Sequence, residues 1–183
     1  MKIIKTSQEP QAVLQPGHLE DINRLSRTPL TEAEVYAFSV RLCDNEVDRD
    51  GERFAPRTLE QLAPLFVGKS GIFDHNWSAQ GQAGRLYRTE VVAGPGRLTQ
   101  AGDPYYWLKG YAYMVRTPDN QSLIAEIEGG IKKEVSVACS VEKAVCSICG
   151  APRGENCGHK PGEVYDGNFM ISCFEAQKKE NLE

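Results

Sequence analysis

Apolar residues crowd together at two places along the chain in the manner of strands. The run Val35-Tyr36-Ala37-Phe38-Ser39-Val40-Arg41-Leu42 is rich in β-branched and aromatic side chains and gives way to the charged segment 44–52. Residues 105–115, Tyr-Tyr-Trp-Leu-Lys-Gly-Tyr-Ala-Tyr-Met-Val, form the densest such run and follow the turn Gly102-Asp103-Pro104. Shorter strand signals fall at Gly71-Ile72-Phe73, and at residues 83–87 leading into Val91-Val92. Two segments instead carry helical spacing. Leu59, Leu62, Leu65 and Phe66 recur at helical intervals until Gly68, which predicts a helix over 59–67, capped by Thr58 with Gln61 and distorted by Pro64. Thr117-Pro118-Asp119 opens a second helix through Leu123, Ile124 and Ile127, and Gly129-Gly130 stops it.

After that helix the pattern predicts a strand over 134–142, an excursion over 146–159 and a returning strand over 168–174. The order is neither a regular strand-helix alternation nor a repeat array. It predicts an α+β domain that is mainly β, with helices outside the sheets. Residues 1–30 hold one short helical candidate, 19–25, and too little apolar surface for a core of their own. They are expected to be a mobile arm or a surface-docked extension of a domain spanning 31–183.

Composition narrows the class. With 183 residues, 40% of them hydrophobic, the chain is long enough for one ordinary core. Its longest apolar runs, such as 62–67, fall well short of the roughly 20 residues that cross a bilayer, and its first residues lack the apolar region of a signal peptide. A soluble cytoplasmic protein without a membrane partner is expected. The net charge is −4 and basic residues are scattered, which disfavours a nucleic-acid partner. The acidic segment from Asp44 does not make an EF-hand, because the sixth and twelfth positions are Arg49 and Ala55. It reads as a solvated turn.

Four of the residues suited to metal binding lie close together. Cys146-x-x-Cys149 sets two thiolates on one turn, and Cys157-x-His159 follows after seven residues. The set matches a closed structural zinc site in which four protein ligands leave no open position. Cys43, Cys139 and Cys173 sit among apolar neighbours and are expected in the core.

A serine, Ser136, lies on the strand over 134–142, sharing a face with Glu134 and Ser140, and a histidine, His75, lies in the polar segment Asp74-His75-Asn76-Trp77. A serine on a strand face is usually an ordinary surface residue. What changes that reading is the ordered set Phe73-Asp74-His75-Asn76, Gly84-Arg85-Leu86 and Glu134-Val135-Ser136-Val137. Together with Val35-Tyr36-Ala37-Phe38, residues 43–50, Lys132-Lys133 and Cys146-Ser147-Ile148-Cys149-Gly150, it resembles the prohead (capsid maturation) proteases of tailed bacteriophages over residues 20–170.

The resemblance implies a fold similar to the herpesvirus assemblin proteases: a closed or nearly closed β barrel flanked by helices, here with a zinc knuckle inserted at 146–159. It implies that Ser136 is the nucleophile and His75 the general base of a serine endopeptidase. Such an enzyme would act on phage scaffold and major capsid protein segments and on itself, within the prohead assembling in the host cytoplasm; homo-oligomerisation is left open. Assemblin-type sites use a second histidine as third member. His159 is claimed by the metal cluster and His18 lies near the start of the chain, so only Glu134 and Asp74 offer themselves, each on sequence adjacency alone. Related proteins continue into an apolar strand where residues 177–183 are polar and helix-prone, which implies a truncated or autoprocessed form. The competing expectation is a non-catalytic zinc-knuckle capsid assembly or scaffold protein.

Overall fold

A computed structural model of the chain describes residues 3–6, 14–76, 78–139, 141–153 and 155–176. The expectations placed on Trp77, Ser140, Gly154 and the tail 177–183 therefore lie outside the described residues. The elements run β1 (Ile3–Thr6), α1 (His18–Asn23), β2 (Val35–Asp44), β3 (Glu52–Phe54), α2 (Pro56–Phe66), β4 (Ser70–Ile72), β5 (Gln82–Leu98), β6 (Pro104–Val115), α3 (Gln121–Glu128), β7 (Glu134–Val137), β8 (Val141–Cys146), β9 (Val164–Tyr165), β10 (Asn168–Phe169) and β11 (Ser172–Ala176). The architecture is α+β and mainly β, and none of the described helices is long and apolar enough to cross a membrane.

The largest sheet is antiparallel in the order β2-β6-β5-β4. Its centre is the aromatic run over 105–115, where Tyr105, Trp107 and Leu108 are buried together with Ala112, Tyr113 and Met114. Gly110 keeps that centre close-packed: a Cβ there would stand 2.7 Å from Leu86 Cδ2 and 3.0 Å from Leu42 Cδ1. A second sheet, β3-β11-β8, sets β11 parallel to β3 and antiparallel to β8. Leu42, Cys43 and Leu108 of the first sheet, Phe54 and Phe174 of the second, and Leu59 and Leu62 of α2 make the main core between them.

The barrel is not formed. β6 has both its neighbours inside the first sheet, and no ladder among the described residues joins the edge strands β2 and β4 to the other sheets. The first sheet instead ends at β4, a strand of three residues whose one ladder among the described residues is with β5. The run over 134–142 also divides. β7 pairs with β1 and β8 with β11, so the chain leaves one sheet at Val137 and enters another at Val141.

Local readings shift where a distant partner intervenes. α2 begins at Pro56 after Ala55, because proline suits the first helical position, and Thr58 therefore lies inside the helix rather than capping it. Its buried hydroxyl donates instead to the Phe174 carbonyl at 2.7 Å, which ties α2 to β11. The segment after β2 is not simply solvated. Asn45 is fully buried, donating through Nδ2 to the Pro104 carbonyl at 2.9 Å and accepting from the Tyr106 amide at 2.8 Å, so it clamps the turn to β6. Cys43 is buried as expected, whereas Cys173 is half-buried opposite Arg53 and Cys139 is exposed in the gap between β7 and β8.

α1 is docked on β5 and β6. Ile22 packs with Val35, Tyr87 and Tyr113, and Arg88 pairs with Asp21 through Nε at 2.7 Å. His18 is buried between the Tyr87 and Tyr111 rings, with Nδ1 3.0 Å from the Tyr87 hydroxyl. Burial and the neighbouring Arg88 guanidinium lower its pKa, and Asp21 and Glu90 only partly offset them.

Two predictions follow from this packing. Thr58→Val, which keeps the shape and removes the hydroxyl, is expected to cost about 1–2 kcal/mol in urea unfolding, with an unchanged m-value. His18 binds its proton more weakly in the folded chain than at the unfolded value of 6.5. Its contribution is therefore complete above about pH 6.5 and is lost as pH falls from there through the folded value. Thermal melts of wild type and His18→Gln between about pH 7 and pH 5 should show the shallower decline in the variant.

Candidate functional site

β8 ends at Cys146, and the chain folds back on itself at once. The Gly150 amide donates to the Cys146 carbonyl at 2.9 Å, the Cys146 amide donates to the Ala151 carbonyl at 3.0 Å, and Gly150 takes a φ of 71° that suits a residue without Cβ. This knuckle holds Cys149 over Cys146. The chain returns through Asn156, at a φ of 53°, to present Cys157 and His159 to the same point.

The ligand atoms of Cys146, Cys149, Cys157 and His159 all lie within 4.8 Å of one another. Cys149 Sγ is 3.6 Å from Cys157 Sγ, and His159 Nδ1 is 3.6 Å from Cys146 Sγ and 3.8 Å from Cys157 Sγ. A tetrahedron with metal–sulfur bonds of about 2.3 Å and a metal–nitrogen bond of about 2.0–2.1 Å has edges of about 3.8 Å between sulfurs and about 3.6 Å between sulfur and nitrogen. The cluster can therefore hold a metal ion and is compatible with zinc, with Nδ1 as the imidazole ligand atom.

The surroundings favour thiolates. Burial works against ionisation of Cys146, but the amides of Cys149 and Ile148 and the thiols of Cys149 and Cys157 outweigh it and bring its pKa down to about 7. The Ile148 amide lies 3.4 Å from its sulfur. At Cys157 the His159 amide favours the thiolate, yet burial and the adjacent sulfurs raise its pKa, as expected when several thiols share one small volume before a cation neutralises them.

Support for the cluster comes from residues that its spacing does not advertise. The Tyr165 ring meets the His159 ring edge-on at 4.4 Å, and its hydroxyl accepts from the Lys160 amide at 3.0 Å and donates to Glu163 at 2.7 Å. Arg153, in the returning arm of the knuckle, pairs with Glu52 of β3. At the base, the Ser147 amide donates to the Ile171 carbonyl at 3.0 Å and the Ile171 amide to Ser147 Oγ at 2.8 Å, so the excursion closes on the strands it left. Only an aromatic six residues after His159, in an otherwise polar stretch, hints at Tyr165 in the sequence.

Ser136 lies within β7 and its side chain is half-buried, while Glu134 of the same face is exposed. His75 is exposed, in the turn after β4. The Asn76 amide donates to the Phe73 carbonyl at 2.9 Å across Asp74 and His75, whose φ values are 51° and 53°. Two positive φ values at the central positions define a type I′ turn, which favours Asn-Gly or Asp-Gly. The chain makes the same turn between β9 and β10 with Asp166-Gly167, at φ values of 50° and 82°. A branched imidazole thus occupies the place that glycine takes in the second turn. Lys132 Nζ sits 5.5 Å from the centre of the Phe73 ring, so the His75 turn lies beside the segment that enters β7.

Comparison of the chain with family models, with curated proteins and with solved structures found no match.

The metal centre makes a direct prediction. Protein grown with zinc is expected to carry one metal ion per chain by elemental analysis, and cobalt substitution should give the intense visible bands of a tetrahedral thiolate site. Cys149→Ser should abolish stoichiometric retention and lower Tm by roughly 10 °C, the consequence of losing about 3 kcal/mol or more in a chain of this size.

Proposed function

We propose that the chain is a serine endopeptidase of the phage prohead maturation type, with Ser136 as nucleophile, His75 as general base and structural zinc on Cys146, Cys149, Cys157 and His159. The observation that carries this reading is the Asp74-His75 turn. A non-glycine residue held in the left-handed region costs on the order of 1–3 kcal/mol, and such positions cluster where function requires them. Here the turn holds an exposed imidazole beside the entry to the serine strand.

The chemistry follows from the two groups. A serine hydroxyl becomes an effective nucleophile when an imidazole takes its proton as the oxygen attacks a peptide carbonyl. The imidazolium then returns that proton to the leaving amine, and water repeats the sequence on the acyl-enzyme. Asp74, next to His75, and Glu134, two residues before Ser136, are the carboxylates available to stabilise the imidazolium. Zinc with four protein ligands has no position for substrate, so its part is to fix the loop between β8 and β11. The substrates on this reading are extended segments of scaffold and major capsid protein and of the chain itself, cleaved inside the assembling prohead in the host cytoplasm.

A second reading, a non-catalytic zinc-clipped capsid assembly protein, is favoured by the metal cluster, in which three ligand pairs stand 3.6–3.8 Å apart while His75 is solvent-exposed.

Fluorophosphonate labelling followed by peptide mapping separates the two. The protease reading expects one modified residue, Ser136, with labelling reduced at least about 10³-fold in both Ser136→Ala and His75→Ala. A folded, zinc-loaded wild type that takes no label and cleaves no disordered polypeptide would leave the assembly reading. The turn offers a sharper form of the test: the double change Asp74→Asn with His75→Gly should raise stability by about 1 kcal/mol while abolishing labelling.

A further inference from the structure

The strand that carries Ser136 has an unusual partner. β7 is four residues long, and among the described residues its only ladder is with β1, the two forming a sheet by themselves. The pairing is antiparallel, with Ile3 opposite Val137, Ile4 opposite Ser136, Lys5 opposite Val135 and Thr6 opposite Glu134. Backbones of directly opposed residues in such a ladder lie about 4.5–5.5 Å apart at Cα, so the main chain of residue 4 runs alongside the proposed nucleophile.

An extended segment laid along a strand edge is a general mode of peptide recognition, in which main-chain hydrogen bonds supply affinity and flanking side chains supply selectivity. The edge of β7 has the needed features. Without β1 its amides and carbonyls would lose their ladder, and an unpaired edge is a template for another strand. Val135 and Val137 are half-buried on one face, and the entry to the strand is flanked by Phe73 and Ile131, large apolar side chains that are 44% and 73% exposed. A two-stranded ribbon of this length is marginal by itself, so its occupant can exchange.

We infer that the β7 edge is the docking edge for an extended substrate segment, and that residues 3–6 occupy it in cis and must leave before substrate binds. The segment it takes runs antiparallel to β7 and carries an apolar residue just beyond the position opposite Glu134, where Phe73 and Ile131 stand. This deepens the protease reading and rests on it for the word substrate, while the docking of a strand at β7 stands or falls by itself.

The test uses full-length chains with single prolines. Successive residues of an antiparallel strand point their N–H groups alternately toward and away from the partner, and proline lacks an N–H. Of Ile4→Pro and Lys5→Pro, one therefore deletes a bond to β7 and the other leaves the ladder intact. The probe is a fluorescent octapeptide with the sequence of residues 1–6 followed by Leu-Leu, which sets an apolar residue just beyond the position opposite Glu134, and binding is followed by anisotropy. The ladder-breaking variant is expected to bind it at least about tenfold more tightly than wild type, because the edge is free in a larger fraction of molecules, and the other variant should bind as wild type does. Amide hydrogen exchange over 134–137 should rise in that same variant and fall again when the octapeptide is added, which guards against misfolding as the cause.

Equal binding by both variants and wild type overturns the inference. So does a concentration-dependent dimer of the ladder-breaking variant that excludes the peptide, because the edge would then serve a second copy. Faster fluorophosphonate labelling of Ser136 in the same variant supports both readings. Tight peptide binding with no labelling in any variant leaves the docking edge standing and removes the protease.

Discussion

The middle place in the second sheet belongs to β11, and the fold depends on bringing that strand back between β3 and β8. The chain leaves β8 at Cys146 and re-enters at Ser172, directly opposite Cys146 in the ladder. Between them lies an excursion whose buried residues, Met170 and Ile171, come only at its end. A loop of that kind has closure entropy to overcome and no core of its own to offset it. A metal ion held by the Cys₃His cluster would supply the missing constraint, and Ser147 with Ile171 seals the base. Once β11 is seated, Phe174 joins Phe54 and Leu59 in the main core and its carbonyl receives the Thr58 hydroxyl. The Cys₃His cluster is thus tied to the packing of α2 through a single strand.

The same dependence reaches Ser136. β7 and β8 are separated only by residues 138–140, and they belong to different sheets. Val137 at the end of β7 and Val141 and Ala144 of β8 pack against the one core that contains Leu42 and Leu108. The position of the serine strand is therefore set from three sides: by β1 along its edge, by this core at its end, and by β8, which follows it into the second sheet. A metal ion bound at the cluster would in this way bear on the position of a serine ten residues earlier in the chain, through a contiguous set of packed residues.

What was legible in the sequence was local. The Cys₃His cluster could be recognised because residue types with few other reasons to cluster stand at knuckle spacing within 14 positions, and the run over 105–115 because its side chains suit a strand buried on both faces. The misreadings share the opposite property. Thr58 has the local signature of a cap, yet its partner is 116 residues away. Residues 134–142 have uninterrupted strand character, but the division after Val137 is dictated by pairing with residues 3–6 on one side and 172–176 on the other. Barrel closure depends on pairing between the edge strands β2 and β4 and the other sheets, which the described residues do not make, and Asn45 is buried because Tyr106 and Pro104 offer it a matching donor and acceptor. None of these partners is visible in a window of ten or fifteen residues.

The two type I′ turns compare the same geometry under different demands. Asp166-Gly167 meets the requirement for two positive φ values with residues that tolerate them, and the turn joins β9 to β10. Asp74-His75 meets the same requirement with a branched imidazole at the second position, beside the entry to the serine strand. Sequences that fold well tend to agree with their local geometry, and departures concentrate where a side chain is needed for its chemistry. Glycine at the second position, as in the other turn, would relieve the strain at the exposed His75. The Asp74-His75 turn thus carries, at its second position, a cost on the order of 1–3 kcal/mol that Asp166-Gly167 avoids.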